Sequence, residues 1–153
     1  MDENTKKIIL DFMNSNTILS LSTSTSDSPY ICNLFYVCDD DLNIYFATHK
    51  QSHKAQKLLR NPFISLSVWE HKKMLVQADG QASELSDETQ RLQIIDKLAE
   101  SSLKGDNFWP PLFRIGGQDY IVFKIKLNWI RKLDLVRDTM TQIESPFTEV
   151  NIY

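Results

Sequence analysis

Glycine is scarce in this chain, with four in 153 residues, and there is no low-complexity segment and no internal repeat. The length and the 42% hydrophobic content suit one compact domain able to bury a real core. No apolar run approaches the roughly 18–20 residues that a membrane-spanning helix needs. An excess of charge is missing too: 17 Lys and Arg stand against 20 Asp and Glu, a net charge of −3, so no global field draws the chain to nucleic acid. The opening MDENTKKIILDF mixes acids and bases ahead of a short apolar group, unlike a signal peptide. The expectation is a cytoplasmic protein with neither membrane nor nucleic acid as partner.

Cysteine and histidine are sparse as well. Cys32 and Cys38 fall in one predicted strand, where six residues at roughly 3.3 Å each hold them about 20 Å apart. They cannot bond to each other while that strand is straight, and they are expected to be buried structural thiols. A Cys-x5-Cys spacing without a second cluster is a poor metal signature. His49, His53 and His71 show no metal-ligand spacing either, so no metal site is expected.

What is present is a regular alternation of elements. Ile8, Ile9, Phe12 and Met13 follow helical spacing in a first amphipathic helix over about 3–16. Residues 17–24 alternate, with Ile18, Ser20 and Ser22 on one side and Leu19 and Leu21 on the other, as in a half-buried strand. After a Ser-Asp-Ser-Pro turn, YICNLFYVC at 30–38 is apolar on both faces and predicts a strand covered on both sides. Asn33 inside it must find a partner or face a polar ligand. A return strand over 43–48, a helix over 52–60, and strands over 63–70 and 74–85 follow, and Gly80 marks a bulge or bend in the last. Ser86 or Asp87 can cap the next helix, Asp87 with Gln90 fitting a loose capping box, and its stripe reads Leu92, Ile95, Leu98 and Ala99. The aromatic-rich segment 101–117 predicts a cover for a ligand or a second subunit. A last strand spans about 119–135. Six strands and three helices in this order predict an α+β domain built on a small antiparallel barrel.

Residues 46–62, FATHKQSHKAQKLLRNP, hold the pattern on which function turns. A strand ends, a polar loop follows, and an amphipathic helix with Ala55, Leu58 and Leu59 on its inner face runs to Asn61-Pro62. Ser52 is a good N-cap. A helix N-terminus with free amides, the Thr48 and Ser52 hydroxyls and the Lys54 cation is equipped to hold a phosphate. The same residues also suit an ordinary strand–loop–helix connection with a solvated basic end.

Taken with the order of elements, this motif resembles the pyridoxamine 5′-phosphate oxidase-like proteins, which are FMN-binding split β-barrels that form homodimers. The resemblance covers about residues 3–135 and is most specific from Asn33 to Gly80: NLFYV, a turn, IYFAT, a loop, SHKA, LLRNP, a strand, then VQADG. It implies a six-stranded antiparallel split β-barrel with helical insertions and a homodimer with the cofactor at the subunit interface; the chain's own pattern ends after Arg137, so the domain is expected over 1–137 with a C-terminal tail over 138–153. It also implies that Thr48, Ser52 and Lys54 hold the FMN phosphate with His53 beside them. Asn33, Leu34 and Phe35 would then run along the isoalloxazine ring, with Trp109 or Trp129 stacking nearby. Four departures stand out. His53 and Cys32 occupy positions where the oxidases carry arginines, Leu75 replaces a glutamine, and Trp129-Ile130-Arg131 is a poor remnant of the pyridoxal-gripping pattern.

The resemblance thus implies a flavoprotein oxidoreductase on a small molecule, with NAD(P)H a possible donor and no single catalytic side chain, since the flavin carries the chemistry. Pyridoxal phosphate synthesis is not expected. The competing readings are a flavin- or haem-binding stress or storage module without turnover, and a dimeric scaffold whose phosphate site has decayed.

Overall fold

A computed structural model describes residues 2–25, 28–103, 119–135 and 147–150. Helix α1 (Glu3–Ser15) precedes the hairpin β1 (Ile18–Thr25) and β2 (Ser28–Phe35). Then come β3 (Val37–Cys38), β4 (Ile44–His49), α2 (His53–Arg60), β5 (Phe63–Glu70), β6 (Met74–Glu84), α3 (Glu88–Ser102), β7 (Tyr120–Asp134) and β8 (Thr148–Val150). The strands form one curled sheet in the order β2-β1-β5-β6-β7-β4-β3, with β8 added to β7, and every pairing is antiparallel. This is an α+β half-barrel with helices inserted between strands.

Eight strands are described rather than the six expected. One extra arises because the 30–38 run breaks at Tyr36. Its ring is fully buried, its amide donates to Thr17 O at 3.2 Å, and its hydroxyl donates to Met13 O at 2.7 Å. Those bonds tie the chain to the end of α1 just where it leaves β1's neighbourhood for that of β4. The other extra is β8, whose Glu149 and Thr148 pair with Arg131 and Lys132.

Inside the curl, β1 contributes Leu19 and Leu21, β5 Ile64, Leu66 and Val68, and β7 Ile121, Phe123, Ile125 and Leu127, all buried as their alternation requires. The register of β6 on β7 shifts between Asp79 and Gly80, so that Asp79 faces Trp129 while Gly80 faces Leu127. Asn128 is the extra residue, and the bulge rotates Ile130 into the same core as Leu127. Gly80 is required there, because a Cβ would sit 2.5 Å from Lys126 O.

Helix α3 packs on the opposite face of β4 and β7, against Tyr45 and Val122. Its fully buried stripe is Ile94, Leu98 and Ser102; of the expected stripe Leu98 is buried, Ile95 and Ala99 are partly buried, and Leu92 is 53% exposed. Asp87 caps α3 by accepting from Gln90 N at 2.7 Å. In α2, Leu59 is exposed while Ala55 and Leu58 are buried. Strand β2 is not covered on both sides, since it is an edge strand whose Ile31 is 70% exposed. The two thiols are free and partly buried, and burial next to Asp39 and Asp40 pushes Cys38 up to about 12.

Candidate functional site

The local fold of 46–62 assembles three polar groups. Thr48 is buried near the end of β4, and the chain then turns through Ser52 N donating to His49 O at 3.0 Å. Ser52 caps α2, its hydroxyl accepting from Ala55 N at 3.2 Å and from Thr48 Oγ1 at 3.0 Å. Lys54 Nζ donates to Thr48 Oγ1 at 3.4 Å. Among the described residues Lys54 has no carboxylate partner. A cation and two hydroxyls therefore meet at the positive end of a helix with no anion to satisfy them, which is the complement of a phosphate.

Of the other cations of this region, Lys57 is committed, Arg60 is remote and Lys50 is exposed. Lys57 Nζ donates to Ser28 O at 2.9 Å and to Thr25 Oγ1 at 3.2 Å, clasping the β1–β2 turn. Asn61 Nδ2 reinforces that clasp by donating to Ser24 O at 2.9 Å. Arg60 ends the helix, roughly 10 Å along the axis from its start at 1.5 Å per residue. Lys50 sits in the exposed loop, where its amide donates to Asp119 O at 2.8 Å.

Strand β2 forms the facing wall. Tyr30 and Cys32, two apart and so on one face, look toward the start of α2. The Tyr30 and His53 rings lie 6.2 Å apart at 35°. Burial raises the Cys32 thiol, although the Lys54 ammonium and the Tyr30 hydroxyl both pull the other way. Cys32 therefore adds no charge at neutral pH. Sequence reasoning passed over Tyr30; its spacing of two from Cys32 was the available signal.

The remaining expected residues divide between faces. Leu34 is in the core, whereas Asn33 is exposed on the outer face, its Oδ1 accepting from Ser20 Oγ at 2.7 Å. Phe35 is half-buried on that same outer side. Their side chains do not converge on Thr48. What the three share is backbone along the free edge of β2, which pairs only with β1 among the described residues and approaches β4 on its other side. Trp109 lies outside the described residues. Trp129 packs under the Arg131 guanidinium, 5.2 Å from its ring, and that guanidinium also lies 4.0 Å from the Phe147 ring.

The model of the pyridoxamine 5′-phosphate oxidase family matches residues 5–134. The chain belongs to that family. Solved structures with the same fold include general stress protein 26 from Bacillus anthracis, at 23% identity over 84% of this chain and 93% of that one, with a TM-score of 0.66. An FAD-binding protein from Mesorhizobium loti matches at 18% identity over 86% and 94%, TM-score 0.65. HutZ, the haem storage protein from Vibrio cholerae, matches at 17% over 79% and 88%, TM-score 0.62. A search of the curated proteins found no match.

Within this family member the described residues hold no cluster of three or more His, Cys, Asp or Glu placed for a metal. Nor is any described helix long and apolar enough to cross a membrane.

Proposed function

We propose that this family member is an FMN-binding flavoprotein, acting as an oxidoreductase on a small molecule. The observation that carries the reading is the meeting of Thr48, Ser52 and Lys54, which has no carboxylate partner among the described residues, at the N-terminus of α2, beside the free edge of β2. In this reading Lys54 neutralises the FMN phosphate while Thr48 and Ser52 donate or accept at its oxygens. The β2 edge offers backbone amides and carbonyls to the pyrimidine side of the ring, and Leu34, locked in the core, holds that edge in place. When bound, the flavin supplies the hydride chemistry, with NAD(P)H as a candidate donor, and the chain supplies position and charge. Cys32 and the exposed His53 make the grip weaker than two arginines would, because neither offers a bidentate fork. A homodimer with the site at its interface belongs to the same reading, supported by Ile31 at 70% and Phe63 at 60% exposure on the outer face.

FMN titration of the purified protein tests it. A yellow complex is expected, and Lys54→Ala should weaken FMN by more than tenfold, since a charge-assisted phosphate bond is worth about 1.5–3 kcal/mol. Colourless protein that ignores added FMN would overturn the reading, and a Soret band would put haem there instead.

A further inference from the structure

Strand register lays two contrasting rows across the outer face of the sheet. Asn33, Ser20, Ser67, Gln77 and Arg131 pair in succession, and all are polar. One step along the strands the row turns apolar, with Phe35 opposite Ile18 and Trp69 opposite Leu75 and then Leu133. A cavity of about 330 Å³ lies where the rows meet, with Ser20, Asn33 and Ser67 on its polar side and Ile18 and Trp69 on its apolar side.

Among the described residues no charged side chain lines this cavity. Arg131, further along the polar row, gives its Nε and Nη2 to Gln77 Oε1 at 3.0 and 2.8 Å. Glu70 stands behind Asn16, accepting from its Nδ2 at 3.3 Å. Ser20 donates to Asn33 Oδ1, so the Asn33 amide NH2 and the Ser67 hydroxyl have no hydrogen-bond partner among the described residues. Trp69 is 60% exposed and presents a large aromatic surface.

We propose that this cavity receives the substrate of the flavin site, and that the substrate is an uncharged planar ring bearing a carbonyl group. The inference rests on the flavin reading and deepens it, because Asn33 belongs both to the cavity and to the strand along which the flavin is placed. The neutral donors of Asn33 and Ser67 suit a carbonyl oxygen, and the indole suits a ring face. A carboxylate or phosphate would give up water here without meeting a cation. A cationic ring would find no carboxylate among the described lining residues.

Calorimetric titration of the full chain with quinoline-3-carboxamide and quinoline-3-carboxylate, with and without FMN, tests this directly. The two probes share shape and differ in charge. The carboxamide should bind about tenfold or more tightly than the carboxylate. Trp69→Ala should remove most of the carboxamide affinity. Ser67→Lys should reverse the order of the two probes, a gain that a misfolded variant could not show. Equal affinities, a carboxylate preference, or no binding of either probe to wild type would overturn the inference. FMN affinity measured on the same samples separates the two readings. Charge discrimination without FMN binding removes the flavin and keeps the cavity as a ligand site, whereas FMN binding without discrimination removes the cavity alone.

Discussion

Asp39 shows how a single carboxylate can organise a turn. Its Oδ1 accepts from Asp41 N at 3.0 Å and Asn43 N at 2.8 Å, and its Oδ2 accepts from Asn43 Nδ2 at 2.9 Å and the Tyr45 hydroxyl at 2.9 Å. Burial opposes ionisation, but these bonds outweigh it and hold the carboxyl below its ordinary value near 3.8. A carboxyl depressed in the folded state stabilises fully above its unfolded pKa, and the contribution is lost as pH falls through the folded value. Asp39→Asn should accordingly be less stable than wild type at pH 6–7, and the gap should close below about pH 4. Urea denaturation across that range measures it; a gap independent of pH would mean that shape and not charge holds the turn. Lys54 is the opposite case, a residue whose charge the described fold leaves unspent. That difference separates a structural ion from one available to a ligand.

At the scale of elements, the β6–β7 bulge is the most exacting feature. Gly80→Ala would press a methyl group against Lys126 O, Ile125 Cγ2 and Leu127 Cα, at 2.5, 3.1 and 3.2 Å. Two of these are backbone atoms of a central strand, so relief requires the ladder to move, at about 1–3 kcal/mol. Chemical denaturation should show that loss as a lower midpoint; an unchanged midpoint would mean that the bulge relocates freely. The bulge was legible in the sequence because a glycine inside an alternating strand has few other uses. The caps at Ser52 and Asp87 and the inward faces of β1 and β5 were legible too, since hydroxyl and carboxylate caps and a period of two depend only on local chemistry. The phase of α3 was not. LQIIDKLA offers two overlapping apolar stripes, and only the surface of Tyr45 and Val122 beneath it selects Ile94 and Leu98. The run at 30–38 misled for a related reason. Apolar residues on both faces do not reveal whether the second face is covered within the chain, and Ile31 is not. β8 carries no periodicity of its own and exists through its register on β7. For the candidate site, the residues of the helix start were readable from spacing, whereas Tyr30 and Cys32 became its neighbours only through the fold.

For the molecule as a whole, the homodimer of the proposed function can be tested on the outer sheet face. Ile31 and Phe63 stand on strands separated by β1, an apolar pair with nothing over it among the described residues. Sedimentation equilibrium should give twice the chain mass of 17.8 kDa, and replacing both residues with aspartate should return the monomer mass. A wild-type monomer at micromolar concentration would remove the interface from the reading.

The break at Tyr36 bears on the same molecule in another way. β2 and β3 are the two ends of the sheet's hydrogen-bonded path, yet only one residue separates them in the chain. The open sheet is therefore a ring fastened by covalent bonds, with Tyr36 as its link. The edge of β2 cannot drift far from β4 however the hydrogen bonds breathe, because the peptide chain itself sets the span. A molecule entering that slot meets walls already at their working distance, and little of its binding energy is consumed in drawing them together.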